Sequence, residues 1–183
     1  MEYRLMKKLL FSLLLIFWAS PALAWEPVFI VGYGSSGSVA LDFRLTRSFG
    51  PVVTGENYEI SPFGNVGATW WLDTHRRRPG QTDQISGLVA ALGFELAYPA
   101  FPGVENQPYA ALSAGPSLIS DHEFMGRKLG GHFIFNTRVA FGLRFGRKLE
   151  HDLAVNAMHY SNGYTYRDNE GFNSLGLSYG FSF

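Results

Sequence analysis

The chain has 183 residues, of which 46% are apolar, 16% aromatic and 16% charged, with 21 Gly, no Cys and zero formal net charge. That length suits one domain, and so many aromatics with so few charges exclude a disordered chain. The missing cysteine excludes a disulfide scaffold, a thiol nucleophile and a Cys-based zinc or iron–sulfur site. Charge neutrality gives no support for a nucleic-acid partner, and a mean hydropathy of +0.01 is too low for a helical membrane protein.

Residues 1–24 read as a secretory signal peptide. Arg4, Lys7 and Lys8 form a positive start, Leu9 to Trp18 is apolar except for Ser12, and Ala22-Leu23-Ala24 is a small-x-small cleavage site. The apolar run is about half the ~20 residues that a spanning helix needs. Its removal takes Lys and Arg from 15 to 12 and Asp and Glu from 15 to 14, so residues 25–183 carry a net charge of −2. No later stretch is long and apolar enough for a membrane helix. An exported chain of this kind is soluble or spans a membrane as a barrel.

Period two runs through the rest. In 38–47, Val39, Leu41, Phe43 and Leu45 alternate with small and charged residues, Asp42 and Arg44 among them. Val66, Trp70 and Leu72 alternate with Asn65, Gly67, Thr69 and Asp73. In 86–98, Leu88, Leu92, Phe94, Leu96 and Tyr98 oppose Gly87, Gly93 and Glu95. In 132–145, Phe133, Phe135, Val139, Phe141, Leu143 and Phe145 share one face, broken only by Thr137. In 173–183, Leu175, Leu177, Tyr179, Phe181 and Phe183 oppose Ser174, Gly176, Ser178, Gly180 and Ser182. A rotation of 180° per residue fits strands and no helix. Eight strands are predicted, over 28–34, 38–47, 58–73, 84–98, 109–119, 131–145, 151–161 and 173–183. Gly115-Pro116 interrupts the fifth, which makes it the weakest strand signal.

The apolar face carries large aromatics strand after strand, while the other carries Gly, Ala, Ser and scattered charges. A soluble lipocalin-like barrel would turn its apolar set inward and expose charges more densely. A membrane barrel turns the apolar set to lipid, and eight strands leave a lumen only wide enough for side chains. Small residues and mutually paired charges suit such a lumen. The pattern therefore predicts an all-β protein, an eight-stranded antiparallel transmembrane β-barrel, over residues 25–183. Phe183 ends an alternating aromatic strand and resembles the signal that outer-membrane assembly machinery reads. With both termini periplasmic, the outer loops are 35–37, 74–83, 120–130 and 162–172. His75-Arg76-Arg77-Arg78 stands in the second of these. Arg76, Arg77 and Arg78 could bind lipopolysaccharide phosphates bidentately, or form a solvated loop. The five His residues show no metal-ligand spacing on one element.

The chemistry-bearing segment is 153–174. His159 and Ser161, at i and i+2 of a strand, share one face, and an imidazole in reach of a hydroxyl makes it a nucleophile. Both share parity with Leu153, Val155 and Ala157, so the pair faces outward at the outer-leaflet end of the seventh strand. A polar pair there fits an esterase whose substrate is a membrane lipid. It equally fits two groups resting at the water interface.

At this point the chain resembles the lipid A 3-O-deacylases (PagL type), eight-stranded outer-membrane barrels with His-x-Ser-Asn on the penultimate strand, then Asn-x-Gly, then the last strand. The matching residues are His159-x-Ser161-Asn162, Asn169-Glu170-Gly171 and Ser174-Leu175. The resemblance is specific over 153–183 and looser, in length and strand order, over the rest. It implies Ser161 as nucleophile and His159 as general base. Asn162 and Asn169 would be polar positions that shape the site and supply oxyanion donors. The substrate would be the ester at the 3-position of lipid A, with release of a hydroxy fatty acid and no metal or organic cofactor. The family's acid is Glu, two residues past the Gly of Asn-x-Gly. Here that residue is Asn173, which can hold a His tautomer but cannot stabilise an imidazolium by charge. In a Ser-His-Asp enzyme the acid-to-Asn change costs about 10⁴ in rate. Three readings follow: Asn173 orients His159, Glu170 substitutes as the acid, or the barrel is non-catalytic with a structural or surface-interaction role. A homodimer is compatible with the aromatic exterior, though the residue pattern does not require it.

Overall fold

The computed structural model describes residues 25–35, 37–74, 82–98 and 105–182. The proposed signal peptide (1–24), Arg76 to Arg78 and Phe183 lie outside the described residues. Eight long strands are present: β1 (Glu26–Gly34), β2 (Ser38–Ser48), β3 (Glu59–Asp73), β4 (Gln84–Ala97), β5 (Asn106–Ile119), β6 (Phe133–Phe145), β7 (His151–Ser161) and β8 (Phe172–Phe181). Each pairs antiparallel with its sequence neighbours, and β1 also pairs with β8, from Val28 opposite Gly180 to Gly34 opposite Ser174. That last ladder closes the sheet into an up-and-down barrel without a free edge. Both described chain ends lie at one end, the terminal end; the connections that follow β1, β3, β5 and β7 leave from the other, the loop end.

Alternation sets the two faces. Phe29, Val31, Leu88, Phe94, Leu112, Phe141, Leu153, Leu175 and Leu177 are exposed outward. Their strand neighbours Ile30, Val89, Ser113, Ala140, Ala154 and Ser178 are buried in the lumen. The predicted polarity is therefore the observed one, apolar outward. Buried lumen charges have polar partners, as burial demands: two of the arginines meet carboxylates, and Arg138 donates to Asn156 Oδ1 at 2.6 Å. Fully buried Arg44 donates from Nη2 to Asp42 Oδ1 at 3.1 Å, and from Nη1 to Asn136 and Asn65 at 3.2 and 3.3 Å. The Tyr160 hydroxyl donates to the same Asp42 oxygen at 3.2 Å. Nearer the terminal end, Arg144 grips Glu95 with two bonds of 2.6 Å and lies 4.7 Å over the Tyr109 ring, and the Tyr109 hydroxyl donates to Asp152 at 2.9 Å. A polar cavity of about 350 Å³ lies at this end, lined by Glu26, Glu95, Tyr109, Arg138 and Arg144 among others.

Two features depart from the sequence reading. β5 starts at Asn106 and runs unbroken through Gly115-Pro116, because its ladder with β6 is continuous there. The cost is local. The β4–β5 ladder skips Ala90 and Ala91, opposite Pro116 and Gly115, where proline has no N–H to donate. A Cβ at Gly115 would lie 2.0 Å from the Ala90 carbonyl oxygen, so only glycine permits that approach. The second departure is in the predicted outer loop 120–130. It holds a hairpin, Glu123–Phe124 paired with Arg127–Lys128. Its turn residues Met125 and Gly126 both have positive φ, 54° and 79°, as a two-residue type I′ turn requires.

Removing Asp42 would leave the Arg44 guanidinium buried without its carboxylate. Asp42→Ala should destabilise the barrel by about 3–5 kcal/mol, and Asp42→Ala with Arg44→Met should recover most of that loss. Urea unfolding in a fixed detergent or lipid measures both. An unchanged midpoint for the single variant would contradict the paired-lumen account.

Candidate active site

Strands β7 and β8 build the site. Their register places His159 opposite Asn173 and Tyr160 opposite Phe172. Parity turns His159, Ser161 and Asn173 outward, and turns Tyr160 and Phe172 into the lumen. Inside, those two rings stack 5.1 Å apart at 11°, and each meets Trp71 edge-on, at 4.5 and 4.2 Å. The outward polar residues are thus carried on backbone whose inner side is clamped by aromatic packing.

On the outer face, His159 Nδ1 lies 2.7 Å from Asn173 Oδ1. An amide oxygen can only accept, so Nδ1 carries the proton and Nε2 is left as the basic nitrogen. Ser161 is two residues along the same face and half-buried, whereas His159 and Asn173 are exposed. One step past the last ladder pair, Gly171 stands across from Ser161. A Cβ at Gly171 would come to 2.5 Å from the Tyr160 carbonyl oxygen, 2.9 Å from Ser161 Cβ and 3.3 Å from His159 Cε1. The glycine of Asn-x-Gly is therefore needed for close approach. Thr137, the polar break in the aromatic row of β6, lies opposite His159 on its other side.

The remaining sequence candidates are placed differently. Asn162 is fully buried; its Nδ2 donates to the Leu129 carbonyl at 2.9 Å and to the Asp168 carbonyl, and its backbone N–H donates to Asn169 Oδ1 at 2.9 Å. These bonds tie the 162–171 connection together and tie it to the hairpin. Glu170 lies against the same hairpin, its carboxylate accepting the Lys128 N–H at 2.7 Å and its own N–H donating to the Lys128 carbonyl at 3.0 Å. Among the described residues, no group of three or more His, Asp or Glu is placed to hold a metal ion.

Beside the site on the exterior is an apolar groove of about 410 Å³, lined by Val31, Tyr33, Val39, Val155, Leu175 and Leu177, with Gly32 and Gly176. Leu175 and Leu177 follow Asn173 on the outer face of β8, so the groove begins about two residues, roughly 7 Å, from the His159–Asn173 pair. Residue spacing predicts the outward His–Ser pair, but gives no sign of the groove, which needs β1, β2, β7 and β8 side by side.

A closed eight-stranded barrel with an apolar exterior is a membrane barrel, and this one carries His159, Ser161 and Asn173 on its outer face. The family model described as Lipid A 3-O-deacylase (PagL) matches residues 35–182, and the chain belongs to that family. It is similar to the crystal structure of the outer membrane enzyme PagL, with a TM-score of 0.74 and 19% identity over 86% of this chain and 99% of that one. Neisserial surface protein A is also similar, at 13% identity and a TM-score of 0.46, covering 87% of this chain and 94% of that one. A search of curated proteins returns no match. Fold and family make the chain an outer-membrane protein.

The His159–Asn173 bond has a direct spectroscopic test. Two-bond ¹H–¹⁵N correlation of the imidazole should show His159 protonated at Nδ1 in the neutral state, and Asn173→Leu should abolish that preference. An Nε2-protonated ring in the unaltered protein would contradict the assignment.

Proposed function

We propose that the protein is an outer-membrane serine esterase that hydrolyses the ester-linked hydroxyacyl chain at the 3-position of lipid A. The observation that carries this reading is the 2.7 Å contact between His159 Nδ1 and Asn173 Oδ1, with Ser161 on the same lipid-facing side. Ser161 Oγ attacks the ester carbonyl as His159 Nε2 takes its proton. The proton passes to the leaving sugar hydroxyl, and an acyl-enzyme remains. Water, deprotonated by His159, then attacks the acyl-enzyme, releasing the hydroxy fatty acid and restoring Ser161. Asn173 holds the imidazole in the tautomer that both steps need. The apolar groove beside the pair suits the acyl chain, because binding there buries alkyl surface while the ester sits at Ser161.

Asn162 and Asn169 shape the site by holding the 162–171 connection, and in this arrangement both donors of Asn162, its N–H and its Nδ2, are engaged within the protein. Arg76, Arg77 and Arg78 are assigned to the phosphates of lipopolysaccharide, export to residues 1–24 and delivery to the assembly machinery to Phe183. No metal or cofactor enters the reaction. Engagement of Glu170 with Lys128 favours Asn173 over Glu170 as the group that orients His159.

One observation favours a second reading, a non-catalytic barrel: the position that carries Glu in the family is Asn173 here. Mass spectrometry of lipid A from cells expressing the protein separates the two. Loss of one hydroxyacyl chain is expected with the unaltered protein and should vanish with Ser161→Ala or His159→Ala. Unchanged lipid A in a permissive host would sink the esterase reading. Asn173→Glu supplies the missing charge and should raise the rate by about tenfold or more, a part of the roughly 10⁴-fold that an acid is worth in a Ser-His-Asp enzyme. An unchanged rate would take the orienting role from residue 173.

A further inference from the structure

We infer that Arg127, in the hairpin at the barrel mouth, is a positioning residue for Ser161 and His159, acting through Gly171; this rests on the esterase reading of the site. Gly171 lies against Ser161 Cβ and His159 Cε1, so where its backbone runs decides the room left for the serine hydroxyl and the imidazole. Yet Gly171 lies beyond the last pair of the β7–β8 ladder, Tyr160 with Phe172. What restrains it comes from another part of the chain. The Arg127 guanidinium donates from Nη1 to the Gly171 carbonyl at 3.1 Å, across 44 residues of sequence. The adjoining Glu170 is also held to the hairpin, its N–H donating to the Lys128 carbonyl at 3.0 Å and its carboxylate accepting the Lys128 N–H at 2.7 Å.

The hairpin is itself anchored. Phe124 and Leu129 are 1% exposed, packed in the cluster of Trp71, Tyr160 and Phe172. Phe124 lies 6.4 Å from Trp71 and 6.1 Å from Phe172, ring centre to ring centre. The Met125 N–H donates to the Thr82 carbonyl at 3.3 Å, and the Thr82 hydroxyl donates to Asp121 at 2.9 Å. The hairpin therefore offers Arg127 a fixed base. A guanidinium suits the task because its planar fork is pre-organised and loses less freedom per bond than an ammonium on a flexible stem.

The consequence is kinetic. Displacements of about 1 Å at a reacting pair can cost on the order of 10²-fold in rate. Arg127→Ala should therefore lower kcat on lipid A in detergent micelles roughly 10- to 100-fold and leave KM nearly unchanged, since no substrate contact is lost. Arg127→Lys keeps a donor and should fall between the two. Millimolar guanidinium ion should restore part of the Arg127→Ala rate and leave the unaltered protein unaffected. Heat-modifiable gel migration and the unfolding midpoint should stay as in the unaltered protein, separating positioning from folding. Unchanged kcat in Arg127→Ala, or a loss confined to KM, would overturn the inference while the esterase reading stands. Should Arg127→Ala fail to fold, the same comparison in Arg127→Lys decides. If the unaltered protein leaves lipid A intact, the esterase reading fails and the positioning role fails with it.

Discussion

Closure of the sheet is the constraint on which the rest of this structure depends. In hydrocarbon every backbone N–H and C=O must find a partner within the protein, and the ladder between β1 and β8 removes the last edge. Closure fixes the face of every residue: a side chain is in the lumen or in the lipid, and neighbours in sequence take opposite sides. Asp42, Arg44, Glu95 and Arg144 go inward and pair there. His159, Ser161 and Asn173 go outward by the same rule. A one-residue slip of β7 would bury the histidine and expose Tyr160, so closure and site stand or fall together.

This division separates two kinds of polar chemistry. In the lumen, Arg44 pairs with Asp42 and Arg144 with Glu95, while buried Arg138 is held by the amide oxygen of Asn156, because a buried charge without a partner would be costly. On the outer face, among the described residues, the hydrogen-bond partner of His159 is the neutral amide of Asn173, which in the proposed reaction contributes orientation. Glu170, the carboxylate nearest in sequence to Asn173, is engaged with the hairpin backbone. The same hairpin, with Leu129 just after it, packs Phe124 into the buried cluster at the barrel mouth and holds the Gly171 carbonyl, so plugging the lumen and bracing the exterior are joined in one segment.

Much of this was legible in the residues. Alternation alone locates the eight strands to within a few positions, since each must show lipid one face and the lumen the other. The pairing of His159 with Asn173 follows from shared parity on adjacent strands joined by a short connection. What could not be read was long-range or masked by composition. The 123–128 hairpin has too few residues for periodicity to register, and Met125 is an unexpected residue at positive φ. β5 hides behind Gly115-Pro116, a strand breaker in sequence that here interrupts only the ladder with β4, while the ladder with β6 runs on. The bond from Arg127 to Gly171, the burial of Asn162 and the external groove all depend on which loops and strands meet around the barrel, and no local pattern encodes that.

The central claim is that the serine lies on the lipid-facing side of the barrel, activated by its neighbour. The most direct measurement is labelling with an alkyl fluorophosphonate, the protein being held in lipopolysaccharide-containing liposomes, followed by peptide mass mapping. The account predicts a single phosphonylated residue, Ser161, with labelling lost in His159→Ala. Labelling at another residue, or none at Ser161 in a folded barrel, would contradict it.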